Sequence, residues 1–371
     1  MHPISRCAIP KGGEVIRGER RKYCHQNCFP EGSSADPTAD HCPNPELDQA
    51  LRGELRTQIA RPSVYISAAD PRVPYASRRR LERQPNHFYW PIPDLAQLEK
   101  RDWQIYSPPP TCRFELKRQM ELAQELAANY GEEWQFSNEE SDGEYHYNNG
   151  YFETVDAEVA YGMVRYFKPK RVIEIGTGFS TRLLAAALQH NHERDEIDGQ
   201  LISVDPYPER FPANQWSHRV AQVPAVVQEV ELELFDTLQA NDILFIDSSH
   251  VVATGSAVLR EYLEILPRLK PGVVIHVHDI FLPSDYPRNA VLENLWFWSE
   301  QYLLQAFLSF NPKFEVLWGS SAMQSQCSWI LDECFPNWRH SYRQMPQSKR
   351  RFVPTADGDR VWPSSFWMRR L

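Results

Sequence analysis

Short apolar runs and stretches with a helical repeat alternate along the C-terminal two thirds of the chain. Buried-strand runs fall at Arg171–Ile175, Leu201–Val204, Val226–Val230, Asp242–Ile246 and Gly272–Val277, and Phe314–Trp318 and Phe366–Arg369 read as two late strands. Helical stretches separate them. One follows Gly176-Thr177-Gly178 through Leu183–Gln189, one covers Ser256–Leu266, and a long aromatic helix is predicted over Ala290–Phe310. Strands alternating with helices at this spacing predict an α/β, doubly wound architecture with a mostly parallel sheet covered on both faces.

Upstream the pattern changes. Leu116, Met120, Leu122, Leu126 and Ala127 recur at helical spacing, so Phe114–Tyr130 is predicted to be a helix. A second runs from Asp156 to Phe167 and stops before Lys168-Pro169, because the residue preceding a proline is pushed out of the helical region. Residues 86–115 carry aromatics and prolines and read as an ordered arm lying on a domain. Residues 1–85 sustain no period and are expected to form a disordered arm. The organisation expected is therefore an arm over 1–85, a helical and irregular extension over 86–145, and the α/β domain over 146–371.

Composition sharpens that division. Fifteen of the 29 prolines lie in residues 1–110. Residues 1–100 carry a net charge of +3, whereas the whole chain carries −9. An acidic body without a basic stripe argues against nucleic acid as the partner. No apolar run is long enough to span a membrane, and Met1–Pro10 has no apolar core of a signal peptide. The seven cysteines are odd in number and scattered, which fits a reducing, cytoplasmic setting. Cys24, His25, Cys28, His41 and Cys42 invite a zinc reading, but the second half of that site would be crowded into one adjacent pair; free thiols in an arm is the reading favoured.

The candidate chemistry gathers at strand ends. Glu174-Ile175-Gly176-Thr177-Gly178-Phe179-Ser180-Thr181 is a strand feeding a glycine turn that opens a helix, with Ser180 or Thr181 able to cap it. Ligands of doubly wound sheets bind at this carboxyl edge. A nicotinamide site would need a third glycine, and an acidic residue about 20 residues on. Asp205, which ends the second strand, lies 29 residues after Gly176. Phe245-Ile246-Asp247-Ser248-Ser249-His250 and His276-Val277-His278-Asp279 end the fourth and fifth strands on the same edge. Asp247 and Asp279 are expected to converge. Two carboxylates on rigid strands can hold a hard divalent cation, and His250 can take a proton because its ordinary pKa is near neutrality. His276 is read as packing.

The run from Glu174 to Thr181, followed by Ile202-Ser203-Val204-Asp205-Pro206, resembles the S-adenosylmethionine site of class I methyltransferases. That resemblance spans about residues 145–371, including Tyr147–Phe152, Trp298–Leu304 and Ser364–Trp367. It implies a Rossmann-like, seven-stranded sheet whose last strand is antiparallel. Position by position it implies that Glu174, Gly176, Thr177, Gly178, Ser180 and Asp247 line the cofactor and that Asp205 takes the ribose hydroxyls. The Asp247/His250 and His278-Asp279 pattern is similar to a group containing metal-dependent sugar and antibiotic O-methyltransferases. The expected function is thus S-adenosylmethionine-dependent methylation of oxygen on a hydroxylated small molecule or glycan, with His250 and Asp279 catalytic. Mg²⁺ or Mn²⁺ between Asp247 and Asp279 is one version; His250 and Asp279 acting without metal is the other. A binding protein that keeps this fold without catalysis, and a nicotinamide-dependent oxidoreductase, are the alternatives. Asn148, Asn149 and Tyr151 are candidates for a lid over the cofactor, and Trp296, Phe297, Trp298 and Tyr302 for the wall of an acceptor pocket.

Overall fold

The computed structural model describes residues 91–101, 103, 113–141, 143–207, 218–336, 338 and 363–371. The arm expected over 1–85, with its cysteine and histidine group, lies outside them. The strands are β1 (Arg171–Ile175), β2 (Gln200–Val204), β3 (Val220–Val223), β4 (Ile243–Ile246), β5 (Val274–Val277), β6 (Phe314–Gly319) and β7 (Phe366–Arg370). They form one seven-stranded sheet in the order β3-β2-β1-β4-β5-β7-β6. Strands β1 to β5 pair in parallel, and β7 inserts antiparallel between β5 and β6. The central strands are buried along their whole length, as their unbroken apolar runs require of a sheet covered on both faces. The strand order reverses between β1 and β4, the place where open α/β sheets bind ligands.

Two predicted elements differ in the structure. The Val226–Val230 run is not a strand. The third strand lies earlier, at Val220–Val223, and Val227–Glu229 is a 3₁₀ turn. Pro224 has no N–H to continue the ladder, and Val227 and Val230, three residues apart, turn one face into the core. The aromatic helix expected over 290–310 is broken into Arg288–Leu292 and Glu300–Leu308. Between them Leu295 takes φ 58°, and the amide of Trp296 donates to Ala290 O. Trp298, with Phe297, packs instead with Phe281, Tyr286 and Val291. Tertiary contact overrides the helical repeat here.

The helix at Leu116–Tyr130 seals one flank of the sheet. It buries Ala123 and Leu126, its Gln119 accepts the Gly319 amide at 2.9 Å, and its Gln124 donates to Glu333 at 3.0 Å. Asp156, at the start of the Asp156–Phe167 helix, secures the incoming end of β7. Its Oδ1 accepts from Ser320 Oγ at 2.7 Å and from the Ser365 amide at 3.0 Å, and its Oδ2 accepts from the Ser364 amide at 2.7 Å. A buried carboxylate with three donors is costly to remove, because the donors lose their partner out of reach of water. Asp156→Ala is expected to lower stability by about 3–5 kcal/mol in chemical denaturation; a loss under about 1 kcal/mol would show that Asp156 does not secure β7.

Candidate active site

The carboxyl edge of the sheet is built by ladder bonds that continue one residue past the strands. Gly176 N donates to Val204 O, Asp205 N to Val223 O, Asp247 N to Ile175 O and His278 N to Ile246 O, at 2.9–3.1 Å. Each of these residues is therefore held as firmly as a strand residue.

Gly176 takes φ +98°, and a Cβ there would lie 2.0 Å from the Asp247 carbonyl oxygen. No other residue fits. Gly178 is different, since a Cβ there would meet nothing within 4 Å. It leaves open space above the turn that packing does not demand. The Thr177 amide donates to Asp205 Oδ2 at 3.0 Å, and the Thr177 and Ser203 hydroxyls are bonded at 2.6 Å. Asp205 Oδ1 accepts the Tyr207 amide at 2.6 Å. Glu174 is fully buried and accepts from Ser180 Oγ at 2.7 Å and Thr181 Oγ1 at 2.6 Å. Burial pushes its carboxyl up to about 8, with the two hydroxyls partly offsetting. Glu174 and Ser180 thus face each other beneath the turn and brace it. The loop at 146–153 lies beside the turn: Tyr151 stacks on Phe179 with ring centres 6.0 Å apart. Asn149 is bonded within its own loop, to His146 O, Phe152 O and the amides of Tyr151 and Phe152.

Asp247, His250 and Asp279 come together as expected. His250 Nε2 stands 3.2 Å from Asp247 Oδ1 and 3.5 Å from Asp279 Oδ2. Its Nδ1 lies 2.9 Å from Glu300 Oε2. His250 and Asp279 both adopt left-handed backbone, φ 56° and 55°, a region that non-glycine residues take uncommonly. His278 joins the group. Its Nδ1 is 3.6 Å from Asp247 Oδ1 and 3.7 Å from Asp279 Oδ1, and its Nε2 is 3.7 Å from Asp156 Oδ2. His276 packs, stacked 3.7 Å from the Phe245 ring, with Nε2 bonded to Ser365 Oγ at 2.9 Å.

The electrostatics depart from the sequence reading. His250 is not near neutrality. Burial favours its uncharged form, but Asp247, Glu300 and Asp279 outweigh that and raise it to about 10. His278 is likewise raised well above its ordinary value, against its burial, by Asp279, Asp247 and Asp156. Asp247 would be raised by burial, yet the two imidazoles hold it well below the usual carboxylate range. The site is an alternation of buried anions and cations.

That alternation bears on the expected metal. Asp247 and Asp279 are already matched by two imidazoles that hold their protons, and a divalent cation would have to displace both. Among the described residues no group of three or more His, Cys, Asp or Glu side chains is arranged to hold a metal ion. The residues do not fit Mg²⁺ or Mn²⁺, and the metal version of the site is set aside.

Glu300 and His278 were not anticipated as site residues. Glu300 is fifty positions from His250, and no local spacing joins them. His278 is adjacent to a recognised aspartate, but nothing in the sequence shows that its ring turns toward Asp247.

Residues 173–280, from β1 to just past β5, match the model of a family described as a methyltransferase domain. That match and the seven-stranded sheet with its antiparallel β7 agree with the resemblance to class I S-adenosylmethionine-dependent methyltransferases. Among relatives, it is 28% identical over 166 residues to an uncharacterized protein of Archaeoglobus fulgidus, covering 42% of this chain and 74% of that one. Among solved structures, it matches the SAH-bound Podospora anserina methyltransferase PaMTH1 at 13% identity and TM-score 0.32, over 60% of this chain and 87% of that one. An uncharacterized protein of Burkholderia thailandensis matches at 11% identity and TM-score 0.30, over 72% and 95%. The methyltransferase-domain match, like the glycine spacing, speaks against the nicotinamide alternative. No described helix is long and apolar enough to cross a membrane.

The buried groups set a pH dependence of stability. Burial raises Glu153 to about 7 and both Glu174 and Glu261 to about 8, and His250 is raised to about 10. Each binds its proton more tightly folded than unfolded. The stability they contribute is complete below their unfolded pKa values and is lost as pH rises through the folded ones. Melting temperature is therefore expected to fall by at least about 4 °C between pH 6 and pH 9, the size of a change of roughly 1–2 kcal/mol in a domain this large. A melting temperature that holds or rises over this range in calorimetry would show that these groups are not held protonated.

Proposed function

We propose that this methyltransferase acts on oxygen, transferring the methyl group to a hydroxyl of a small molecule or glycan with His250 as the base and without a metal. The observation that carries this reading is the placement of His250. Its Nε2 lies between two strand-end carboxylates on the edge that carries the glycine turn, while Glu300 fixes Nδ1. Methylation of an alcohol needs a proton acceptor aligned with the attacking oxygen, and little else from the protein beyond orientation.

The residues at the turn fit S-adenosylmethionine. Gly178 leaves room for a ligand against the main chain, and Asp205 presents a half-buried carboxylate, suited to ribose hydroxyls, at the end of β2. When bound, that cofactor supplies an activated methyl carbon. Gly176 and Gly178 admit it to the backbone, Thr177 orients Asp205, and Glu174 and Ser180 act from beneath by fixing the turn. Asp279, held by Ser364 Oγ at 3.2 Å, orients the acceptor hydroxyl. Trp298, whose ring lies 5.0 Å from His250 and stacks on Trp296 at 4.8 Å, flanks the acceptor side.

His250 enters the reaction charged at neutral pH and must shed its proton before it can accept another. Methyl transfer is accordingly expected to speed up as pH rises from 7 to 9; a flat profile would remove His250 from the rate.

His250→Gln is expected to cut turnover by roughly 10²–10⁴ in a screen of hydroxylated acceptors. Affinity for S-adenosylmethionine, measured by calorimetry, should stay within about threefold. Turnover near the wild-type value would reject the base role, and binding of NAD in place of S-adenosylmethionine would reject the whole reading.

A further inference from the structure

The start of the Glu300–Leu308 helix grips His250 at more than one point. The amides of Ser299 and Glu300 both donate to the His250 carbonyl, at 2.9 and 3.1 Å. The Ser299 hydroxyl accepts the Val252 amide at 2.8 Å, and Glu300 Oε2 meets the ring at Nδ1. This bracket holds a residue whose backbone is in the left-handed region, so main chain and ring are fixed together. Glu300 itself is fully buried.

A second carboxyl stands behind the first. Glu261 is also fully buried and begins a π turn, Glu261–Ile265, interrupting the helix that starts at Ala257. Such turns are frequent at functional sites. Both oxygens of Glu261, Oε1 of Glu300, Tyr262 OH and Ser248 Oγ have no hydrogen-bond partner among the described residues. These groups act on one another. Glu261 feels the charge of Glu300 from the facing helix, the hydroxyl of Ser248, and His250 and Asp247 from the loop after β4; Tyr262 faces Glu300 from Glu261's own turn. Two carboxyls buried together in a medium of low polarity cannot both ionise cheaply. Burial and Glu300 together raise Glu261 to about 8. Packing alone gives no reason to bury two acids here, since well-packed apolar residues in their place are often as stable or more so.

We propose that Glu300 is a positioning residue for His250, fixing the ring through Nδ1 while the start of its helix fixes the His250 main chain. The Glu300 carboxyl keeps the proton on Nδ1. Nε2, which faces Asp247 and Asp279, is then the nitrogen that exchanges protons with the acceptor. The catalytic meaning of this arrangement rests on the reading of His250 as the base, but the arrangement itself is testable without any acceptor.

The test uses the full chain with ¹⁵N-labelled histidine, free of ligand. Wild type is expected to show a strongly downfield, slowly exchanging Nδ1–H resonance from His250, assigned by its loss in His250→Gln. In Glu300→Gln that resonance should disappear or move sharply upfield, while calorimetric affinity for S-adenosylmethionine stays within about threefold. In Glu261→Gln, which leaves the contact of Glu300 with the ring in place, it should persist. An Nδ1–H signal unchanged in Glu300→Gln would overturn the positioning role. If Glu300→Gln does not fold, wild type still decides, because absence of a hydrogen-bonded Nδ1–H there overturns it equally. Methyl transfer retained in His250→Gln would instead defeat the base assignment and leave these spectra as they are, so the two failures are distinguishable.

Discussion

A backbone approach that only glycine allows sets the geometry of the whole carboxyl edge. At Gly176 the chain leaves β1 so close to the Asp247 carbonyl that a side chain would overlap it at 2.0 Å. Because the two segments can touch, the ladder between β1 and β4 runs on past Ile175, and the Asp247 amide takes its oxygen at 2.9 Å. The glycine turn and the acidic end of β4 thereby become neighbours. Everything that follows is placed from that contact: Thr177 reaches Asp205 on one side, and Asp247 reaches His250 and His278 on the other.

Around Asp247 the structure solves a charge problem. Isolated buried charges are prohibitively costly, and paired ones break even only when every member has an opposite neighbour. Asp156, His278, Asp247, His250 and Glu300 alternate carboxyl and imidazole, contributed by a helix start, the end of β5, the end of β4, the loop after it and a second helix start. Asp279 touches both imidazoles. The chain of charges ties the sheet edge to elements far apart in sequence, so loss of one member leaves two neighbours uncompensated.

How far the sequence could be read follows from which interactions are local. The parallel strands were legible because sheets covered on both faces need unbroken apolar runs, and β1, β4 and β5 have them. Asp247, His250 and Asp279 were legible because strand ends in this architecture share one edge. The third strand was misplaced because Val226–Val230 is as rich in β-branched residues as a strand, and its valines serve the core from a 3₁₀ turn instead. The aromatic helix was overextended because its repeat is real but its tryptophan partners lie elsewhere: Trp298 is drawn to Tyr286 and His250. Glu300 and Glu261 were beyond reach for the same reason. Their meaning depends on a ring fifty and eleven residues away in a folded chain, not on any spacing.

The break in that helix has its own consequence for function. Had 290–310 been continuous, Glu300 would follow Trp298 on a regular spiral, and its amide would be spent on a carbonyl four residues back. Because the helix restarts at Glu300, the amides of Ser299 and Glu300 are free of the preceding turn and both close on the His250 carbonyl. The first turn of a helix also favours an acidic side chain, which suits Glu300 against the imidazole. The same interruption that places Trp298 beside the His250 ring therefore creates the bracket beneath it. The Trp298 contact, the hold on the His250 main chain and the Glu300 contact come from one departure from regular structure, and a substitution that restored the continuous helix would lose all three together.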